Sequence, residues 1–98
     1  MSVSTQVMAQ ILSLASYYEG IREGLGMEFE EEVQIILHSI SQNPHLFQKD
    51  FGRIRRAYVK RFKLVIFYVV GAESVGVVEV RDARREPPDW VERGFVGD

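Results

Sequence analysis

The stretch Leu64-Val65-Ile66-Phe67-Tyr68-Val69-Val70 decides the fold. It is apolar at odd and even positions alike, and β-branched and aromatic residues dominate it, as is typical of a strand in the middle of a sheet. Because successive side chains of a strand point to opposite faces, neither face of this strand is suited to water. We expect one face to pack on helices, while the other needs either a second layer or a binding partner.

Two further strands are predicted beside this one. Residues at about 54–60 and 75–81 are also rich in β-branched and aromatic side chains, and the central strand itself is predicted over about 62–70. Gly71-Ala72-Glu73 separates the second strand from the third. The pattern therefore predicts a meander of three antiparallel strands.

The chain before residue 48 is helical in pattern. Apolar residues recur at spacings of three and four in two groups, Val7, Ile11, Leu14, Tyr18 and Ile21, then Phe29, Val33, Ile36, Leu37 and Ile40. They predict helices over about 4–23 and 26–42, with glycines at the turn between them. The predicted fold class is α+β: an N-terminal antiparallel helical hairpin packed on a three- to four-stranded twisted antiparallel sheet, in a single domain over residues 1–98.

Composition limits the class of protein. Ninety-eight residues with 46% hydrophobic content suit one core. No apolar run approaches the roughly 20 residues that cross a bilayer, and the first ten residues lack a signal-peptide pattern. We therefore expect a cytoplasmic protein without membrane contact. The absence of cysteine excludes disulfides and thiolate chemistry, and no metal or other cofactor is expected.

Charge is divided along the chain. The net charge is -5 over residues 1–48, +6 over 49–85 and -3 over 86–98. A basic block between acidic flanks suggests a concentrated surface for an anionic partner. We expect its arginines to lie together on the sheet face that the helices leave uncovered.

Four pieces of sequence resemble the RelE/ParE toxin superfamily, in its ParE-type plasmid stabilisation branch. They are Tyr17-Tyr18-Glu19 with Arg22 to Phe29, Asn43-Pro44-His45-Leu46-Phe47, Ile54 to Phe62 with Ile66-Phe67-Tyr68, and Ala83 to Trp90. Together they span nearly the whole chain. The family usually begins with a full strand, whereas only Met1-Ser2-Val3 precede Ser4 here, so this first strand is expected to be either short or absent.

The resemblance implies a toxin of a type II toxin–antitoxin system. Its partner would be a cognate antitoxin whose disordered arm folds across the toxin. Its target would be DNA gyrase, or the ribosome and its messenger RNA, and a homodimer or hetero-oligomer is compatible with both.

Candidate residues for binding the target or antitoxin are Arg53, Arg55, Arg56, Tyr58, Lys60, Arg61, Lys63, Arg84, Arg85 and Trp90. A nuclease would use Arg56, Lys60, Arg84 and Arg85 to stabilise a phosphorane-like transition state. However, Val65 stands where nuclease members carry an arginine, and Asp82 where many relatives have histidine. We therefore favour a non-enzymatic toxin that binds a gyrase-like target. The alternatives are a ribosome-dependent mRNA endoribonuclease and a non-toxic interaction module of the same fold.

Overall fold

The computed structural model describes residues 1–83 and has two helices and five strands. The helices are α1 (Thr5–Ile21) and α2 (Leu25–Gln42), against expected ranges of 4–23 and 26–42. The strands are β1 (Ser2–Val3), β2 (Lys49–Phe51), β3 (Ile54–Val59), β4 (Leu64–Val70) and β5 (Val75–Asp82), and a short 3-10 helix, Lys60–Phe62, joins β3 to β4.

The sheet is mixed, with the order β1-β5-β4-β3-β2. β1 runs parallel to β5, and the other neighbouring pairs are antiparallel. The α+β class is confirmed, whereas the expected three to four strands and the purely antiparallel pairing are wrong. The sequence left open whether an N-terminal strand is present, and it did not predict β2. Both strands are short: β1 has two residues and β2 only three, which is too little for an alternating pattern to stand out.

Local hydrogen bonds fix both helix starts. The Ser4 hydroxyl accepts a hydrogen bond from the Val7 N–H at 3.1 Å, as an N-cap serine does. Gly24 precedes α2 with φ +87°, a conformation that glycine adopts without a side-chain clash. The Glu19 carboxylate of α1 then accepts from the N–H groups of Gly24 at 2.9 Å and Gly26 at 3.0 Å. A side chain of the first helix thus caps the second.

The main core lies between the helical hairpin and one face of the sheet. Phe29, Val33 and Ile40 from α2 meet Ile66 and Tyr68 from β4, and all five are 0% exposed. Burying this much apolar surface is the main stabilising contribution to such a fold. The hairpin is therefore held by the sheet as well as by its own turn.

The second face of β4 is also buried. Val65 and Phe67 are each 6% exposed and cluster with Ile54 of β3 and the half-buried Val69. The sequence left open whether a second layer or a binding partner covers this face. Since these side chains are already shielded within the chain, a partner is not needed to remove them from water.

Candidate macromolecule-binding surface

Seven cationic side chains lie along one edge of the sheet and its adjoining turn. We call them the basic strip, which consists of Lys49, Arg53, Arg55, Arg56, Lys60, Arg61 and Lys63. They come from β2, β3 and the connection to β4, and Asp50 is the only acidic residue in the same segment. The segment therefore carries a net charge of +6 on the border of the sheet.

Arg55 and Arg56 point to opposite faces of β3. Arg55 pairs in register with Tyr68, which faces the helices, and its Nη1 donates to the Phe47 carbonyl at 2.8 Å. Arg56 pairs with Phe67 on the other face. The expectation that the arginines lie together on the uncovered face is therefore wrong, because adjacent residues of a strand alternate.

Arg56 is held by two neighbours. Its Nη1 lies 3.1 Å from Asp50 Oδ1, and its guanidinium sits 5.5 Å from the centre of the Tyr58 ring. Tyr58 faces the same side and is 43% exposed. The ion pair and the cation–π contact together fix the guanidinium beside an accessible aromatic ring.

The two remaining arginines are engaged at opposite ends of β3. Arg53 Nη2 donates to the Val70 carbonyl at 3.0 Å. Arg61 pairs with Glu28 of α2 and lies 5.1 Å from the Phe62 ring centre. Glu28 also pairs with Arg22 at 3.1 Å. Hydrogen bonds from Arg61, and then from Arg22, lower the pKa of the Glu28 carboxyl, so it stays charged between the two guanidinium groups.

The cations of the strip that can contact a partner are its three lysines, Lys49, Lys60 and Lys63. All three are exposed, and none has an ion pair or side-chain hydrogen bond to any of residues 1–83. Lys63 has φ +52°, and its N–H donates to the Lys60 carbonyl at 3.2 Å, which closes the turn. The two turn lysines are thus presented together at one end of the strip.

The helical layer has the opposite charge. α1, α2 and their turn carry six glutamates and one arginine. An anionic partner is therefore attracted to the strip and repelled by the outer helical surface, which favours one orientation of approach.

The sequence-based prediction includes six of the seven cations and omits Lys49. It also missed Asp50, the ion-pair partner of Arg56. The candidates Arg84, Arg85 and Trp90 lie outside the described residues. Within residues 1–83, no group of three metal-ligating side chains is clustered, and neither helix is long and apolar enough to cross a membrane.

No protein-family model matches the chain, and no curated protein matches it.

Proposed function

We propose that the protein is the toxin of a type II toxin–antitoxin system, acting by binding a gyrase-like macromolecular target and neutralised by a cognate antitoxin. The observation that carries the binding mode is the basic strip, in which three exposed lysines have no partner among residues 1–83. The toxin class rests on the sequence resemblance, and the strip supplies a surface on which such a protein can act.

The arrangement of the strip favours binding over cleavage. Cleavage of a phosphodiester needs several cations that converge on one phosphate. Of the nuclease candidates among the described residues, Arg56 is engaged by Asp50 and Tyr58, while Lys60 belongs to the turn beyond β3. Cations spread along an edge suit contact with an extended anionic surface.

Neutralisation follows from the same charges. An antitoxin arm that covers the strip would place carboxylates opposite Lys49, Lys60 and Lys63, where no acidic side chain of residues 1–83 is paired with them. Complementary charge raises the rate and specificity of such an association. Occupying the strip would exclude the target.

The test is induced expression in a bacterial host. The variant Lys60→Gln/Lys63→Gln removes two charges that have no partner in the described part of the chain, residues 1–83. The control Ser16→Glu/Gln34→Glu makes the same net change at exposed positions of α1 and α2. Growth arrest by the unmodified protein should be relieved by the strip variant and retained by the control. Circular dichroism of each purified variant checks that it is folded.

The molecular readout separates the mechanisms. DNA breaks with intact messages support the proposal. Codon-phased cuts in translated messages, mapped by primer extension, would replace it with the endoribonuclease. Unimpaired growth on expression of the unmodified protein would rule out the toxin and leave the non-toxic interaction module.

A further inference from the structure

A groove of about 1120 Å³ runs between α1 and the outer edge of β5. Residues along α1, including Gln10, Tyr17 and Ile21, form one wall, and the β5 segment 79–82 forms the other. β1 pairs only with Gly76 and Val77. Among residues 1–83, no strand therefore lies beside the rest of β5 on this edge.

The backbone of Val80 faces the open edge. The Ala83 N–H donates to the Lys63 carbonyl on the β4 side at 2.6 Å. Because backbone groups alternate between the two sides of a strand, those of Glu79 and Arg81 also face β4, and those of Val80 face outward. An open edge of this kind is a template for another strand.

The side chains beside Val80 form a self-complementary pattern. Glu79 and Arg81 pair in register with Phe67 and Val65, so both lie on the face away from the helices. They form an ion pair with each other within the chain. If two copies of β5 meet antiparallel with Val80 at the two-fold axis, Glu79 of each copy lies opposite Arg81 of the other.

We propose that two copies of this chain associate through their β5 edges into a continuous ten-stranded sheet. Val80 and its symmetry mate exchange two N–H to carbonyl hydrogen bonds at the axis, flanked by the two Glu79–Arg81 pairs. The strand β1 bounds this edge at one end, and the turn at Ala83 bounds it at the other. Among residues 1–83, the part of this edge that no strand covers is therefore centred close to Val80, as a two-fold contact requires.

The groove wall supplies the remaining contact. Tyr17 and Ile21 are 64% and 60% exposed although they line it. In the dimer, a second α1 beside the junction covers these two exposed side chains.

Light scattering across a concentration series, with sedimentation equilibrium, measures the association. The unmodified protein should move from monomer to dimer as its concentration rises. Glu79→Arg and Arg81→Glu each place like charges opposite each other, and each should weaken self-association at least about tenfold. Mixing these two variants should restore a dimer, because the opposed charges are again complementary.

Restored association on mixing distinguishes this contact from a loss of folding, since misfolded chains would not regain a partner. A monomer at every concentration of the unmodified protein would refute the proposal. So would a dimer that both variants retain, or variants that stay monomeric when mixed.

Discussion

The close approach of the two helices at Gly26 gives a sharp test of the fold. A Cβ built on Gly26 would lie 2.5 Å from the Ala15 carbonyl oxygen of α1 and 3.0 Å from Glu19 Oε1. The first contact is with backbone, which cannot rotate away. The second is with the carboxylate that accepts the Gly26 N–H. In Gly26→Ala the helices must separate or the Glu19 cap must shift.

The expected cost follows from two opposing terms. Overpacking a well-packed site costs about 1–3 kcal/mol, while alanine in place of glycine returns up to about 1 kcal/mol of helix propensity. We expect Gly26→Ala to lower the free energy of unfolding by about 1–2 kcal/mol. Each kcal/mol lowers the melting temperature of a domain this size by about 4–8 °C.

Gly20→Ala is the matched control, because Gly20 also lies in the hairpin but a Cβ there meets no atom within 4 Å. It should raise the free energy of unfolding by about 0.5–1 kcal/mol. Urea unfolding followed by circular dichroism measures both variants. A Gly26→Ala variant as stable as the unmodified protein, or a shift of both variants in the same direction, would show that the helices do not make this close contact at Gly26.

Three further perturbations use the same assay. Tyr68→Phe removes the hydroxyl that donates to the Pro44 carbonyl, in the α2–β2 connection, at 2.7 Å. It should lower the free energy of unfolding by about 1–2 kcal/mol, and a change under about 0.3 kcal/mol would contradict this prediction. Burial raises the pKa of Tyr68 above its ordinary 10.0. The neutral phenol therefore contributes stability below pH 10, which is lost as pH rises through the folded pKa, and Tyr68→Phe should flatten this alkaline loss. Arg61 and then Arg22 lower the pKa of Glu28 below 4.5. Glu28→Gln should therefore reduce the free energy of unfolding above that pH, and the reduction should be smaller in high salt. A loss of stability that persists in strong acid would count against the ion pairs. Phe29→Ala empties a site that is 0% exposed and should cost about 3–5 kcal/mol; a loss below about 1.5 kcal/mol would mean that this site is not packed as described.

Much of the fold was predictable because its long elements have strong periodicity. The spacing of Val7 and Ile11 on α1, and of Phe29 and Val33 on α2, marks the faces that the structure buries. β1 and β2 were not predictable in this way. β1 forms only through a parallel pairing with Gly76 and Val77, more than 70 residues away in sequence, and a two-residue segment carries no pattern of its own.

The candidate site was harder to predict for a different reason. Composition shows how many cations a segment has, but the partner of each depends on tertiary contacts. That Arg55 and Arg56 occupy opposite faces could have been inferred from strand alternation alone. That Arg61 reaches Glu28, 33 positions earlier, could not. Only the assembled fold identifies the three lysines of the strip as the cations that have no partner among residues 1–83.

The two proposed surfaces lie at opposite edges of one sheet, which makes them separable. In the proposed dimer the β5 edges meet at the centre, and the two basic strips occupy the outer ends of eight adjacent strands, because β1 of each copy shares the β5 edge and adds no width. With strands about 4.8 Å apart, seven spacings put the strips roughly 34 Å from each other. A target that contacts both strips binds more tightly than one that contacts a single strip, because the second contact forms within the same complex. Glu79→Arg should remove that advantage while leaving the affinity of one strip intact, whereas Lys60→Gln/Lys63→Gln should weaken each strip and leave the dimer unchanged.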